Sequence, residues 1–80
     1  MSDKKVTAEF TIEPFTEGNP GSHVTSAILI AESSGLEVQV GPFGTTVSGK
    51  DESIFALVPD VLRAAMENGA SRVSMQITKV

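Results

Sequence analysis

The chain has 80 residues, with 6 Lys and Arg against 10 Asp and Glu, a formal net charge of −4 and 40% hydrophobic residues. That is the length of one small domain, spanning residues 1–80, and it is too apolar for a disordered acidic tail. The absence of cysteine excludes disulfides, cysteine-based zinc sites and thiol catalysis, and an acidic chain with six scattered cations is a poor partner for nucleic acid.

Val6, Ala8, Phe10 and Ile12 alternate with Thr7, Glu9 and Thr11, the period of a half-buried strand, and Pro14 ends its ladder. Thr16 to Gly21 is dense in turn formers. Ser22 is the expected N-cap of a helix with a stripe at Val24, Ala27, Ile28 and Ala31, and Gly35 supplies its left-handed C-terminal cap. Leu36, Val38 and Val40 predict a second strand, Gly41-Pro42-Phe43-Gly44 a turn, and Thr45 to Ser48 a third strand that closes a hairpin. Asp51 is the expected cap of a longer helix with apolar positions Ile54, Leu57, Val58, Val61, Leu62, Ala65 and Met66. Pro59 lies inside it, predicting a kink, with a split into two shorter helices as the alternative. Asn68-Gly69 ends that helix, and Val73, Met75 and Ile77 mark a fourth strand.

The order β-α-β-β-α-β predicts an α+β, ferredoxin-like fold, with an antiparallel sheet in the order 4-1-3-2 and both helices on one face. The other face would carry Thr7, Glu9, Thr11, Glu37, Gln39, Thr46, Ser48, Ser74, Gln76 and Thr78. It is polar and rich in hydroxyls, which suits either solvent or a wet subunit contact. The three connections that follow the first strand, the second strand and the second helix fall at one end of the sheet. No run approaches the ~20 apolar residues of a membrane span, and the N-terminus leads straight into a strand pattern, so a soluble cytoplasmic protein is the expectation. A chain this short buries only about 60–65% of its unfolded surface, which favours a homo-oligomer.

Two motifs are specific. Gly41-Pro42-Phe43-Gly44-Thr45-Thr46-Val47-Ser48-Gly49 resembles the Gly-Pro-x-Gly-Thr-Thr-x-Glu-Gly hairpin of the small thiamine-binding (hydroxymethylpyrimidine-binding) proteins, and Gly69-Ala70-Ser71-Arg72-Val73 resembles that family's entry to the last strand. Ser48 stands where the family usually has Glu, and Val38-Gln39 where it often has Tyr-Glu. The resemblance implies non-enzymatic binding of thiamine or its pyrimidine moiety, no other cofactor, and a dimer or tetramer. Such a ligand needs hydrogen-bonding groups for the pyrimidine edge, ring surface, and negative potential for the thiazolium cation.

Thr45 and Thr46 can supply hydroxyls, although neighbouring strand residues point to opposite faces, so only one serves a given pocket. Phe15 and Phe43 offer ring surface, and Glu9, Glu13 or Glu17 negative charge. The residues expected to line the pocket are Ser22, His23, Phe43, Gly44, Thr45 and Thr46, with Glu9 and Gln39 joining them if the polar face is used. Each has a plainer reading: strand propensity for the threonines, turn chemistry for the glycines, and a surface or capping role for the single histidine His23. Ser22 or Ser26 with His23 forms no catalytic triad, and no metal-ligand spacing occurs. The competing reading is a ligand-free regulatory or structural oligomerisation module of the same fold.

Overall fold

The period-two alternation of the first segment becomes strand β1 (Lys5–Glu13), which occupies an interior position in a four-stranded sheet. A computed structural model describes residues 4–14, 21–41 and 44–80. In chain order the further elements are α1 (Ser22–Ser33), β2 (Glu37–Val40), β3 (Thr45–Lys50), α2 (Asp51–Glu67) and β4 (Arg72–Lys79). The sheet order is β2-β3-β1-β4, which read from the other edge is the predicted 4-1-3-2, and every neighbouring pair is antiparallel.

One face of the sheet carries the core. Val6, Ala8, Phe10, Ile12 and Val47 pack with Ala27 and Ala31 of α1 and with Ile54, Leu57, Val61 and Ala65 of α2. Both helices therefore cover that face, and the fully buried alanines let the helix backbones lie close to their neighbours. The predicted stripe of α2 is wider than the arc that is buried. Leu62 and Met66 are exposed, and so are Val40 and Ile77, which belong to the helix-side face but stand on the two edge strands.

The helix starts differ from expectation by one residue. Gly21, not Ser22, is the N-cap of α1, and its carbonyl accepts from the amides of Val24 and Thr25. Ser22 is instead the first helical residue, and its hydroxyl donates to the Asn68 carbonyl at 3.4 Å. Lys50, not Asp51, is the N-cap of α2; Asp51 opens the helix and its carboxylate accepts from the Glu52 amide at 2.7 Å. Asp51 and Glu52 still complement the positive end of the helix dipole. At the C-terminal ends, Gly35 (φ +81°) and Gly69 (φ +105°) take the left-handed conformation that lets each helix stop.

Pro59 neither splits nor terminates α2, which runs unbroken through it as one element of 17 residues. Proline has no amide hydrogen, so the carbonyl of Phe55, four residues earlier, loses its helical donor. Pro59 is exposed. Pro59→Ala restores that donor with no change in the core, and is expected to raise stability by about 1–2 kcal/mol. That is the helix-interior cost of proline less the unfolded-state entropy it removes. Chemical denaturation of the two proteins checks this.

Candidate functional site

The ends of β1 and β2 and the starts of β3 and β4 lie at one end of the sheet. The amide and hydroxyl of Ser71 both donate to the Glu13 carbonyl, at 2.8 and 3.2 Å, tying the start of β4 to the end of β1. His23 is buried, and its Nε2 lies 2.6 Å from the Pro14 carbonyl. A carbonyl only accepts, so Nε2 carries the proton. This clamp replaces the surface or capping role expected of His23. It also explains the glycine before the helix: a Cβ on Gly21 would stand 2.7 Å from His23 Cε1. The Gly41 amide donates to the Gly44 carbonyl at 2.8 Å across the hairpin turn. A Cβ on Gly44 would come within 3.2 Å of the Phe10 carbonyl oxygen, so the close approach of this turn to β1 favours glycine.

The candidate residues divide into two groups. Thr45 is paired with Phe10, points to the helix side and is buried, whereas Thr46 is paired with Glu9 and points to the open face. Ser22 and His23 belong to α1 and lie on the helix side with Thr45, while Gly44 stands against Phe10 and Thr11 of β1. Phe43, Phe15 and Glu17 lie outside the described residues.

On the open face the register assembles one row across all four strands. Gln39 pairs with Thr46, Thr46 with Glu9, and Glu9 with Gln76. Thr11 pairs with Ser74 in the next row towards the loop end, and Glu13 with Arg72 beyond it. A shallow depression of about 170 Å³ is lined by Glu9, Phe10, Thr11, Ser74 and Gln76. Phe10 has its ring in the core, so it lines this depression from its main chain. Ser74 and Gln76 were legible as members of the polar face. What brings them to Glu9 is the adjacency of β4 and β1, which follows from the strand order.

The chemistry of this row is specific in one respect. Glu9 is exposed, and its four nearest neighbours on the face, Thr7, Thr11, Thr46 and Gln76, are all neutral. Its carboxylate is thus a lone negative charge among hydroxyls and amides that both donate and accept. Such a surface favours a cation that also presents a hydrogen-bonding edge. Among the described residues no group of three or more His, Asp or Glu could hold a metal ion, and no helix is long and apolar enough to cross a membrane.

Comparison with known proteins gives a consistent result. A family model described as thiamine-binding protein matches residues 8–79. Among solved structures, a Thermotoga maritima protein named for thiamine biosynthesis or salvage is 32% identical, with a TM-score of 0.70, over 94% of this chain and 81% of that one. A domain of unknown function from Bacillus cereus is 26% identical, with a TM-score of 0.72, over 98% of this chain and 76% of that one. A hypothetical protein of Methanocaldococcus jannascii is 25% identical, with a TM-score of 0.69, over 95% and 78% of the two chains. No curated protein sequence matches.

Proposed function

The chain belongs to the thiamine-binding protein family, and from that premise we propose that it binds thiamine or its hydroxymethylpyrimidine moiety without transforming it, as a carrier or salvage component. The observation that carries this reading to a place on the molecule is the unpaired carboxylate of Glu9 in a row of neutral hydrogen-bonding groups. Glu9 faces the thiazolium, while Gln76, Gln39 and Thr46 offer donors and acceptors to the aminopyrimidine edge.

One protomer supplies only part of such a site. Small-molecule pockets usually enclose about 300–1,000 Å³, against about 170 Å³ here. The ring surface a heterocycle needs is also missing from the described part of the open face, because Phe10 is in the core and Phe55 is on α2. The second wall comes from another copy of the chain lying over the open face, which makes the protein a homo-oligomer, a dimer or tetramer, through its Thr, Ser and Gln surface. A small core without disulfides gains stability from the same contact.

Calorimetric titration with thiamine and with hydroxymethylpyrimidine tests the reading directly. Binding of either is expected, with a rise in melting temperature that grows with ligand excess. Silence with both would leave the ligand-free oligomerisation module. The face is tested by two threonine variants. Thr46→Val is expected to weaken binding about fivefold, the worth of one neutral hydrogen bond, while Thr45→Val, on the helix side, leaves the dissociation constant unchanged. Equal affinities for the two variants would remove the hydroxyl contact.

A further inference from the structure

The apolar positions of α2 that the core leaves uncovered are not scattered. Phe55, Pro59, Leu62 and Met66 follow one another at steps of four, three and four residues, and all four are exposed. Such steps keep them on one side of the helix, as a second stripe beside the buried one. Right-handed crossovers place α2 towards β4 and α1 towards β2, and the right-handed turn of α2 directs the second stripe over the β4 edge. Beneath it, Val73, Met75 and Ile77 line the helix side of β4, and Ile77 is 45% exposed. The strand below is itself unguarded. The Val80 amide donates to the Lys5 carbonyl, so the even-numbered residues of β4 bond to β1, and the amides and carbonyls of Val73, Met75 and Ile77 point outward from the edge. Between Arg72 and Lys79 the strand holds no charge and no proline, the usual guards of an edge. The other edge, β2, is only four residues long and opens on Glu37.

We infer that this flank is a contact between two copies of the chain, in which β4 pairs antiparallel with β4 of the partner and α2 lies against its counterpart. What selects a second copy is self-complementarity, which a two-fold contact requires and an unrelated partner does not. Both rows read the same from either end. Centred on Met75, the strand pairing sets Val73 against the partner subunit's Ile77. It sets Arg72 against the partner subunit's Thr78 and Lys79 against the partner subunit's Ser71, so no like charges meet. The helix stripe sets Phe55 against the partner subunit's Met66 and Pro59 against the partner subunit's Leu62. The flank is about 26 Å long for the strand and about 20 Å deep for one strand and one helix, roughly 500 Å² from each copy. Two such flanks reach the roughly 1,000 Å² expected of a specific interface. This contact is separate from the open-face contact proposed above, and two different two-fold contacts close a tetramer. It also continues the open face, since the row of Glu9 and Gln76 runs on to Ser74 of the partner subunit.

Sedimentation velocity without ligand tests the contact, so its outcome is independent of thiamine binding. The wild type is expected to sediment as more than one chain, and as four where the open-face contact also forms. Leu62→Lys/Ile77→Lys is expected to halve that mass with its far-ultraviolet circular dichroism unchanged, because both residues are exposed on the protomer. Val40→Lys, exposed on the other edge strand, is expected to leave the mass unaltered. Should the double variant fold poorly, Met66→Lys, on the helix alone, gives the same readout. Hydrogen exchange needs no variant. The Met75 and Ile77 amides are expected to be protected in the wild type and to lose that protection on dilution into protomers, whereas an unpaired edge exchanges quickly at every concentration. A wild type that sediments as a single chain, a double variant that keeps the wild-type mass, or fast exchange at Met75 and Ile77 throughout overturns the inference. So does an equal loss of mass in Val40→Lys.

Discussion

Replacing Glu9 by Gln is expected to weaken thiamine binding by about 10- to 100-fold while leaving the melting temperature unchanged. The two side chains have nearly the same shape, and Glu9 is exposed with no cation paired to it among the described residues, so folding loses no contact. Binding loses the attraction of a carboxylate for the thiazolium. Two unit charges 4 Å apart near a protein surface attract by about 4 kcal/mol before desolvation and screening. Desolvation and screening take back part of this, and the about 1.4–2.8 kcal/mol that is left corresponds to the stated fold-change.

Two controls separate this electrostatic role from a shape effect. Hydroxymethylpyrimidine has no thiazolium, so its affinity is expected to fall much less in the variant. Raising the ionic strength is expected to weaken thiamine binding to the wild type more steeply than to the variant, because screening acts on a charge that only the wild type has. Equal losses for both ligands would place Glu9 on the pyrimidine edge.

Glu9 also illustrates how the candidate site was legible in part. Alternation in β1 placed it on the polar face, and β-α-β-β-α-β order placed β4 next to β1, so the neighbours Ser74 and Gln76 were available from sequence. The sequence expectation nevertheless centred the pocket on the hairpin and the start of α1, where motif residues are dense. The structure divides those residues between two faces, because a strand turns each successive side chain to the opposite side. Thr45 is committed to the core beside Phe10, and His23 to a clamp on Pro14. Both conspicuous residues therefore have packing or clamping roles of their own in the fold. His23 was illegible for a simpler reason: its partner is a main-chain carbonyl nine residues away, and no side-chain pattern records a main-chain acceptor.

The fold itself was more legible than the limits of its burial. Periodicity gave six elements in the right order, since each has an apolar side that must face a partner. It did not give how wide that side is. The α2 stripe includes Leu62 and Met66, yet only Ile54, Leu57, Val61 and Ala65 reach the interior. A helix lying over a sheet that is only four strands wide leaves its flank uncovered, and edge residues Val40 and Ile77 are exposed for the same reason. The helix caps fail at a finer scale, since Ser22 and Asp51 are good capping types set one residue inside the helices they were expected to open.

The largest expected effect on stability belongs to Ile54, which is fully buried on α2. Ile54→Ala removes three carbons from a site enclosed by the sheet and α1 and is expected to cost about 2–5 kcal/mol, against about 0.5–1.5 for Ile54→Val. A chain of this size has only about 4–12 kcal/mol to lose, so the alanine variant sits close to its unfolding threshold at ordinary temperature. The adjacent residue Phe55 is 55% exposed, and Phe55→Ala is expected to cost about 1 kcal/mol or less. Neighbours in sequence thus differ severalfold because a helix turns them about 100° apart, and urea denaturation of the three variants measures that phase. Ligand linkage then joins this stability effect to function. Thiamine at a hundredfold excess over its dissociation constant is expected to return about 2.7 kcal/mol to Ile54→Ala, because the substitution lies on the helix side and the proposed site on the open face. The same thiamine concentration is expected to return far less to the Glu9→Gln/Ile54→Ala double variant. Equal recovery in the two would mean that thiamine is held somewhere other than the open face.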